Sequence, residues 1–292
     1  MLLREALRAG LQSLVEHDVP SPQLAAELLL MHLLGSDRGF LHSHPDQRLT
    51  SEAADRYFQL IAERATGKPT QYITGHQEFW GLDVQLTPDV LIPRPETEHL
   101  VETVLEILRS RPEGHESWRI VDVGTGSGCI ALALAWELPR AELYAVDISS
   151  AALAVAQQNA VRLGVANRIR FWEGDLLTLF IERGWTSSFD LVVSNPPYVG
   201  KAEIHLVQRE VREFEPRLAW GGLDEGNEIY RRLFPQAQQV LKPGGYIAVE
   251  IGYLKSNAVT GLLGERWTGV SVRPDLAGIP RVVIAQKSLA AQ

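Results

Sequence analysis

The chain carries one cysteine, Cys129, among 292 residues, which excludes an intrachain disulfide framework and fits a reducing compartment. It also lacks any apolar run approaching the length of a membrane span. Met1-Leu2-Leu3-Arg4-Glu5 leads into an amphipathic pattern broken by acids, so the reading is a soluble, cytoplasmic protein with no membrane partner. Positive charge is in deficit: 28 basic against 36 acidic residues leave a net charge of −8, which disfavours affinity built on broad phosphate neutralisation. No direct nucleic-acid partner is expected, although a local basic patch is compatible with this balance. Internal repeats and low-complexity tracts are absent as well. What is present is an ordinary hydrophobic fraction of 45% over a length sufficient for an α/β domain and a smaller one.

Residues 1–74 lack strand-like alternation and instead repeat apolar residues at helical spacing, as in Leu24, Leu28 and Met31 and in Tyr57, Leu60 and Ile61. Pro20, Pro22, Gly35, Pro45 and Gly67 punctuate the stretch at plausible helix boundaries. This predicts a small helical domain. Residues 75–92 contain Phe79-Trp80-Gly81-Leu82-Asp83-Val84-Gln85-Leu86, aromatic and alternating about a glycine, which predicts a β-hairpin linker. A helix then starts in Pro93-Arg94-Pro95-Glu96-Thr97-Glu98, its apolar face being Leu100, Val101, Val104, Leu105 and Leu108. Over 93–292, strand patterns at 120–123, 143–146, 169–171, 191–193 and 246–249 alternate with helical stretches such as 151–163 and 229–241. That alternation predicts an α/β fold with a doubly wound, mostly parallel Rossmann-like sheet, and the late pair 270–272 and 282–284 predicts an antiparallel C-terminal hairpin.

Four strand ends carry chemistry. Phe189 to Ser194 would deliver Asn195-Pro196-Pro197-Tyr198 to the carboxyl edge of the sheet, where open α/β folds bind ligands. The two prolines fix two φ angles and remove two donors, leaving Asn195 Oδ1 and the Pro196 carbonyl as rigid acceptors suited to a planar –NH2 group. Tyr198 adds a flat face for a planar amide or base. The first strand runs into Gly124-Thr125-Gly126-Ser127-Gly128 and then a helix, a turn that allows close backbone approach by a nucleotide-like ligand and presents free N–H groups. A dinucleotide fingerprint would want glycine where Cys129 stands, and the ending of a phosphate loop is missing. Asp147 is placed to accept from ribose hydroxyls, and Asp175 from an adenine amino group, with Ile148 and Leu176 as apolar faces. Taken singly, each acid also reads as a turn or helix cap; together the groups describe an adenosine-shaped site.

These motifs resemble the S-adenosyl-L-methionine site of class I methyltransferases that alkylate planar nitrogen. Gln71-Tyr72-Ile73-Thr74-Gly75, Glu78-Phe79-Trp80-Gly81-Leu82, Leu91 to Glu98 and Asp275-Leu276-Ala277-Gly278 further resemble the HemK/PrmC family, the release factor glutamine methyltransferases, from about residue 70 onward. The resemblance implies a helical substrate-binding domain, a hairpin linker and a catalytic domain. Its implied partners are class 1 peptide-chain release factors, and its implied target is the glutamine of their Gly-Gly-Gln motif. Asn195, Pro196 and Tyr198 would then be catalytic, and Pro197 would join them in binding the substrate. Gly124, Thr125, Gly126, Ser127, Gly128, Asp147, Ile148, Asp175, Leu176 and Asn195 would hold the cofactor. Two segments depart from the family pattern: Gly221 to Tyr230 is one residue longer, and Ile279-Pro280-Arg281 replaces a more polar stretch. Leu176 stands where some members carry an aromatic ring.

Rival readings stay open at this point. A nucleobase amino group would suit the same acceptors on a flipped base, as would glutamine of another protein, and a methyltransferase fold can serve as a non-catalytic scaffold. Glu96 and Glu98 read as dipole partners in a first helical turn or as an acid/base pair. His42-Ser43-His44-Pro45-Asp46 has metal-ligand types but reads as a solvated loop, and Cys129 as a packing residue.

Overall fold

The computed structural model describes residues 1–110 and 117–289. Positions 111–116 and 290–292, which fall in the expected catalytic domain, lie outside the described residues. The chain divides into two compact bodies: Met1–His76 with Gln208–Phe214, and Gln77–Val207 with Glu215–Gln292. Among the described residues, no helix is long and apolar enough to cross a membrane.

The first body contains α1 (Leu3–Glu16), α2 (Pro22–Leu34), α3 (Arg38–Ser43), α4 (Ser51–Ala65) and α5 (Thr70–Thr74). Local chemistry sets several of these boundaries. Pro22 opens α2 and Gly35 closes it at a φ of 58°, while the Asp37 and Thr50 side chains accept from the N–H groups of Phe40 and Ala53 at the starts of α3 and α4. Leu3, Leu14, Leu29, Leu30, Tyr57 and Ile61 form its core. The expected face of α2 is met only in part: Leu24 is exposed, Met31 packs against the core, and Ala25, Ala26, Leu29 and Leu30 are buried. Gln208–Phe214 belongs to this body: the almost fully buried Arg64 pairs with Glu210, and Gly67 lies against Arg209 and Phe214.

The second body begins at Gln77, within β1 (His76–Phe79), which Trp80 and Gly81 at φ of 56° and 70° join to β2 (Leu82–Gln85). Pro95–Thr97 forms a single 3-10 turn before α6 (Glu98–Arg109), so that helix begins only at the last residue of the expected segment. The Rossmann-like part follows as β3 (Arg119–Val123), α7 (Cys129–Glu137), β4 (Glu142–Asp147), α8 (Ser150–Arg162), β5 (Ile169–Glu173), α9 (Thr178–Glu182) and β6 (Phe189–Ser194). After β7 (Val199–Gly200) and the first body's α10 (Arg209–Phe214) come α11 (Arg217–Trp220) and β8 (Gly221–Leu223), which pairs with β7. The chain finishes with α12 (Glu228–Val240), β9 (Leu241–Glu250), α13 (Ser256–Thr260), β10 (Trp267–Pro274) and β11 (Pro280–Lys287).

The main sheet has seven strands in the order β10-β11-β9-β6-β3-β4-β5. Its five-strand section from β9 to β5 is parallel, and β11 and β10 add the antiparallel hairpin. Parallel strands covered on both faces must be apolar throughout. Accordingly Ile120, Val121 and Val123 of β3 and Leu191, Val192 and Val193 of β6 are buried.

Candidate active site

Because β3 is flanked by β4 on one side and β6 on the other, the winding reverses at β3 and opens a crevice at the carboxyl ends. Register brings the ends level: Val123 lies opposite both Val146 and Ser194, and Asp147 opposite Glu173. The residues at these ends, Gly124, Asp147, Asp175 and Asn195, line one cavity of about 360 Å³, a volume typical of small-molecule sites.

Gly124 and Gly126 adopt φ of 73° and 55°, a region that other residues enter at a cost. The N–H groups of Gly124 and Thr125 donate to the Val146 carbonyl at 2.8 and 3.0 Å, which ties the turn to β4. A Cβ on either glycine would meet no protein atom within 4 Å, so the space beside this backbone is open to a ligand. Thr125, Ser127 and Gly128 brace the turn instead of lining the cavity. The Thr125 hydroxyl donates to Asp122 Oδ2 at 2.7 Å, and the Ser127 carbonyl accepts from Asn159 Nδ2 at 3.0 Å. Gly128 backs onto α8, where a Cβ would stand 3.0 Å from that of Ala156.

Asp147 Oδ2 accepts from the Gly126 N–H at 2.8 Å and Oδ1 from the Ser149 N–H at 2.9 Å. A carboxylate oxygen has two lone-pair sites, so each retains acceptor capacity for a ribose hydroxyl. Burial raises its pKa, and backbone hydrogen bonds partly offset that effect. Asp122 is fully buried and pushed up to about 7 by desolvation, and its Oδ1 has no hydrogen-bond partner among the described residues. On the next strand end, Asp175 and Leu176 line the cavity, but Asp175 is ion-paired with Arg232 from α12. Ile148 also lines it and is 53% exposed, leaving apolar surface for a base to cover.

Asn195, Pro196 and Pro197 face the same cavity, whereas Tyr198 turns elsewhere. Its ring packs on Gly252, where a Cβ would come within 2.7 Å of Cδ2, and its hydroxyl lies 3.5 Å from Glu250 Oε1. Asn195 Nδ2 donates to Thr97 Oγ1 at 3.0 Å, and that hydroxyl donates to Glu250 Oε2 at 2.6 Å. Glu250 is buried, which pushes its carboxyl up to about 7 despite the bond from Thr97 and the nearby Arg281. The longer Gly221 to Tyr230 segment buttresses this region: a Cβ on Gly226, at φ of 80°, would stand 2.2 Å from the Tyr198 carbonyl oxygen. Arg281, in the other departing segment, bonds Asp275 at 2.9 Å.

Sequence reasoning missed Thr97, Glu250, Asn159 and Arg232 as site-shaping residues. An acid ending the otherwise apolar Tyr246 to Val249 run was the available signal for Glu250; Asn159 follows two glutamines in α8 and carries none. Glu98 has a structural task, accepting from the Trp80 N–H at 2.9 Å. Cys129 is buried with its thiol pushed up to about 12, so it stays protonated. His42 lies 3.4 Å from Glu27, and no group of three His, Cys, Asp or Glu suited to a metal occurs among the described residues.

Comparison with known proteins agrees with this geometry. Residues 5–75 match the PrmC N-terminal domain, and residues 115–262 match a methyltransferase domain. The release factor glutamine methyltransferase of Koribacter versatilis is 50% identical over 287 residues, covering 98% of this chain and 99% of that protein. The protein of the same name from Moorella thermoacetica is 45% identical over 289 residues, with 98% and 99% covered. Among solved structures, the catalytic domain of hMettl16 in complex with a 3'UTR hairpin superposes with a TM-score of 0.56 at 17% identity, covering 80% of this chain and 83% of that one, a likeness of fold alone. With relatives 42–50% identical over 98% of its length, the chain belongs to the release factor glutamine methyltransferase family, whose methyl donor is S-adenosylmethionine.

Proposed function

We propose that this protein methylates the side-chain amide nitrogen of the glutamine in the Gly-Gly-Gln motif of class 1 release factors. The observation that carries the reading is the orientation of Asn195. With Nδ2 engaged by Thr97, Oδ1 is left for the substrate, beside a Pro196 carbonyl whose chain direction is stiffened by two prolines. The relatives' name supplies the substrate class.

An amide nitrogen is a poor nucleophile because its lone pair is delocalised into the carbonyl. In this reading Asn195 Oδ1 and the Pro196 carbonyl accept the two N–H groups and aim the nitrogen for in-line attack. Orientation of this kind contributes on the order of 7–11 kcal/mol. Bound S-adenosylmethionine supplies an electrophilic sulfonium methyl. The same two acceptors stabilise positive charge developing on nitrogen, and the resulting N-methyl amide cation is acidic enough to lose its proton without a dedicated strong base. Asp147 holds the ribose, Asp175 and Leu176 the adenine edge, and the Gly124 to Gly128 turn the cofactor backbone. Tyr198 serves by fixing the loop.

Residues 1–74 form the substrate-gripping domain in this proposal, 75–92 the linker and 93–292 the catalytic domain. Methyl transfer from labelled S-adenosylmethionine to a purified release factor tests the reading, with a Gly-Gly-Ala variant and DNA as controls. Label that depends on the glutamine is expected; labelled DNA with an unlabelled release factor would replace the proposal by a nucleobase methyltransferase. Deleting residues 1–74 should raise KM for the release factor, and an unchanged KM would remove the gripping role.

A further inference from the structure

We infer that Thr97 and Glu250 are positioning residues that determine which end of the Asn195 amide meets the substrate. The inference rests on the proposed glutamine chemistry and deepens it. A side-chain amide has two nearly isosteric orientations with opposite consequences. With Oδ1 toward the cavity, Asn195 accepts from a substrate –NH2; with Nδ2 there, two sets of N–H donors would oppose each other. Something must fix the choice.

The buried chain of hydrogen bonds fixes it through proton counting. Thr97 and Glu250 are 2% and 1% exposed, too enclosed for bulk water to rescue a mismatch. The Thr97 hydroxyl has one proton and donates it to Glu250 Oε2 at 2.6 Å. Toward Asn195 it can therefore only accept, so the group 3.0 Å away must be Nδ2. Reversing the amide would set Oδ1 against a lone pair, or take the proton from Glu250 and leave a buried carboxylate oxygen without its donor. Sheet register builds the arrangement: Ser194 of β6 lies opposite Val249 of β9, which puts Asn195 level with Glu250. The 3-10 turn Pro95–Thr97 supplies the hydroxyl between them.

The orientation depends on Glu250 being ionised. Its protonated form could donate to Thr97 Oγ1 and free the threonine proton for Asn195, so both amide orientations would become acceptable. Thr97, Tyr198, Arg281 and Glu96 face this carboxyl, as do the buried Cys129 thiol of α7 and the Tyr230 phenol of α12, and Tyr230 donates to the Glu250 backbone carbonyl at 2.7 Å. A fall in turnover on the acid side, following Glu250, is the expected signature.

The test compares Thr97→Val, Thr97→Ser and Glu250→Gln with the wild type. Thr97→Val removes the relay hydroxyl at constant shape and should lower kcat about 10- to 100-fold, with the S-adenosylmethionine Kd changed less than about twofold. Thr97→Ser restores the hydroxyl and should recover most of the rate. Glu250→Gln should remove the acid-side fall. Independently of activity, NMR of the free protein should show the Asn195 side-chain NH2 hydrogen-bonded in the wild type and Thr97→Ser, released in Thr97→Val, and titrating only when Glu250 is present. Unchanged kcat in Thr97→Val, a serine variant as impaired as the valine, or an Asn195 amide indifferent to Thr97 would overturn the inference. If the wild type fails to label a release factor, the functional reading falls while the NMR comparison still decides the orientation.

Discussion

At the residue scale, Asn195 separates binding from transfer. Asn195→Ala removes the acceptor from the cavity wall without touching Asp147 or the glycine turn, so single-turnover transfer should be nearly abolished while calorimetry finds cofactor affinity little changed. Equal loss of both would assign Asn195 to cofactor binding. Two glycines offer a sharper contrast. Gly126→Ala meets no protein atom and carries only the left-handed conformational cost, about 1–2 kcal/mol, but it places a methyl group in the cavity proposed for the cofactor, so cofactor Kd should rise. Gly226→Ala collides with the Tyr198 carbonyl; there kcat should fall with the cofactor Kd unchanged, because the displaced backbone belongs to the acceptor loop. The place of Asn195 and Asp147 at the sheet edge was legible because each ends or follows an apolar strand run, whereas Asp175 lies two residues beyond the more polar Ile169–Glu173 strand. Thr97 and Glu250 were not legible as a pair, since 153 residues separate them and no local periodicity connects a turn threonine to a strand-end acid.

At the element scale, strands were easier to read than helix faces. In β3 and β6 the apolar run is itself the signal of a covered parallel strand, whereas α2 has apolar residues on nearly every side. Leu24, Leu28 and Met31 and the truly buried Ala25, Leu29 and Leu30 are then equally good stripes on paper, and only packing against α1 and α4 chooses. The start of α6 moved for a related reason. Proline-bounded Pro93-Arg94-Pro95 favours extended backbone before each proline, and the chain enters the helix through a 3-10 turn. The contribution of α10 to the first body rests on Arg64, 3% exposed, and its pairing with Glu210. Removing one partner of a buried ion pair costs about 3–5 kcal/mol, so Glu210→Ala should lower the urea midpoint, and Arg64→Leu combined with it should recover part of the loss. A midpoint unmoved by Glu210→Ala would deny the pair that role.

For the whole molecule, two buried carboxyl groups make stability and activity run in opposite directions with pH. Asp122 and Glu250 are each raised by burial, from 3.8 and 4.5 to about 7. The folded state therefore binds protons more tightly than the unfolded chain. That stabilisation is full below about pH 4 and is lost as pH rises toward and through 7, on the order of 4 kcal/mol for Asp122 and 3 kcal/mol for Glu250. His32, lowered mainly by its own burial, works the other way in part of this window. Denaturation between pH 5 and 8 should show the wild type losing stability as pH rises, with a shallower slope in Glu250→Gln. An identical slope in that variant would place the Glu250 carboxyl near its ordinary value in the folded protein. The division into a helical part and a winding sheet was visible in the change of period from helical spacing to alternating elements. That Gln208–Phe214 belongs with the helices was not, because a seven-residue return carries no compositional mark.

That return bears on how the chain is made. Synthesis proceeds from the N-terminus, so α1 to α5 emerge long before Glu210, and Arg64 must wait 146 residues for its carboxylate. The helical body can collapse early, but Arg64 gains the Glu210 carboxylate only after β3 to β7 have left the ribosome. A nascent chain halted after residue 76 should thus be more protease-sensitive at its helices than one halted after residue 214. The order of translation becomes part of the folding pathway of a protein whose proposed substrate is itself a component of translation.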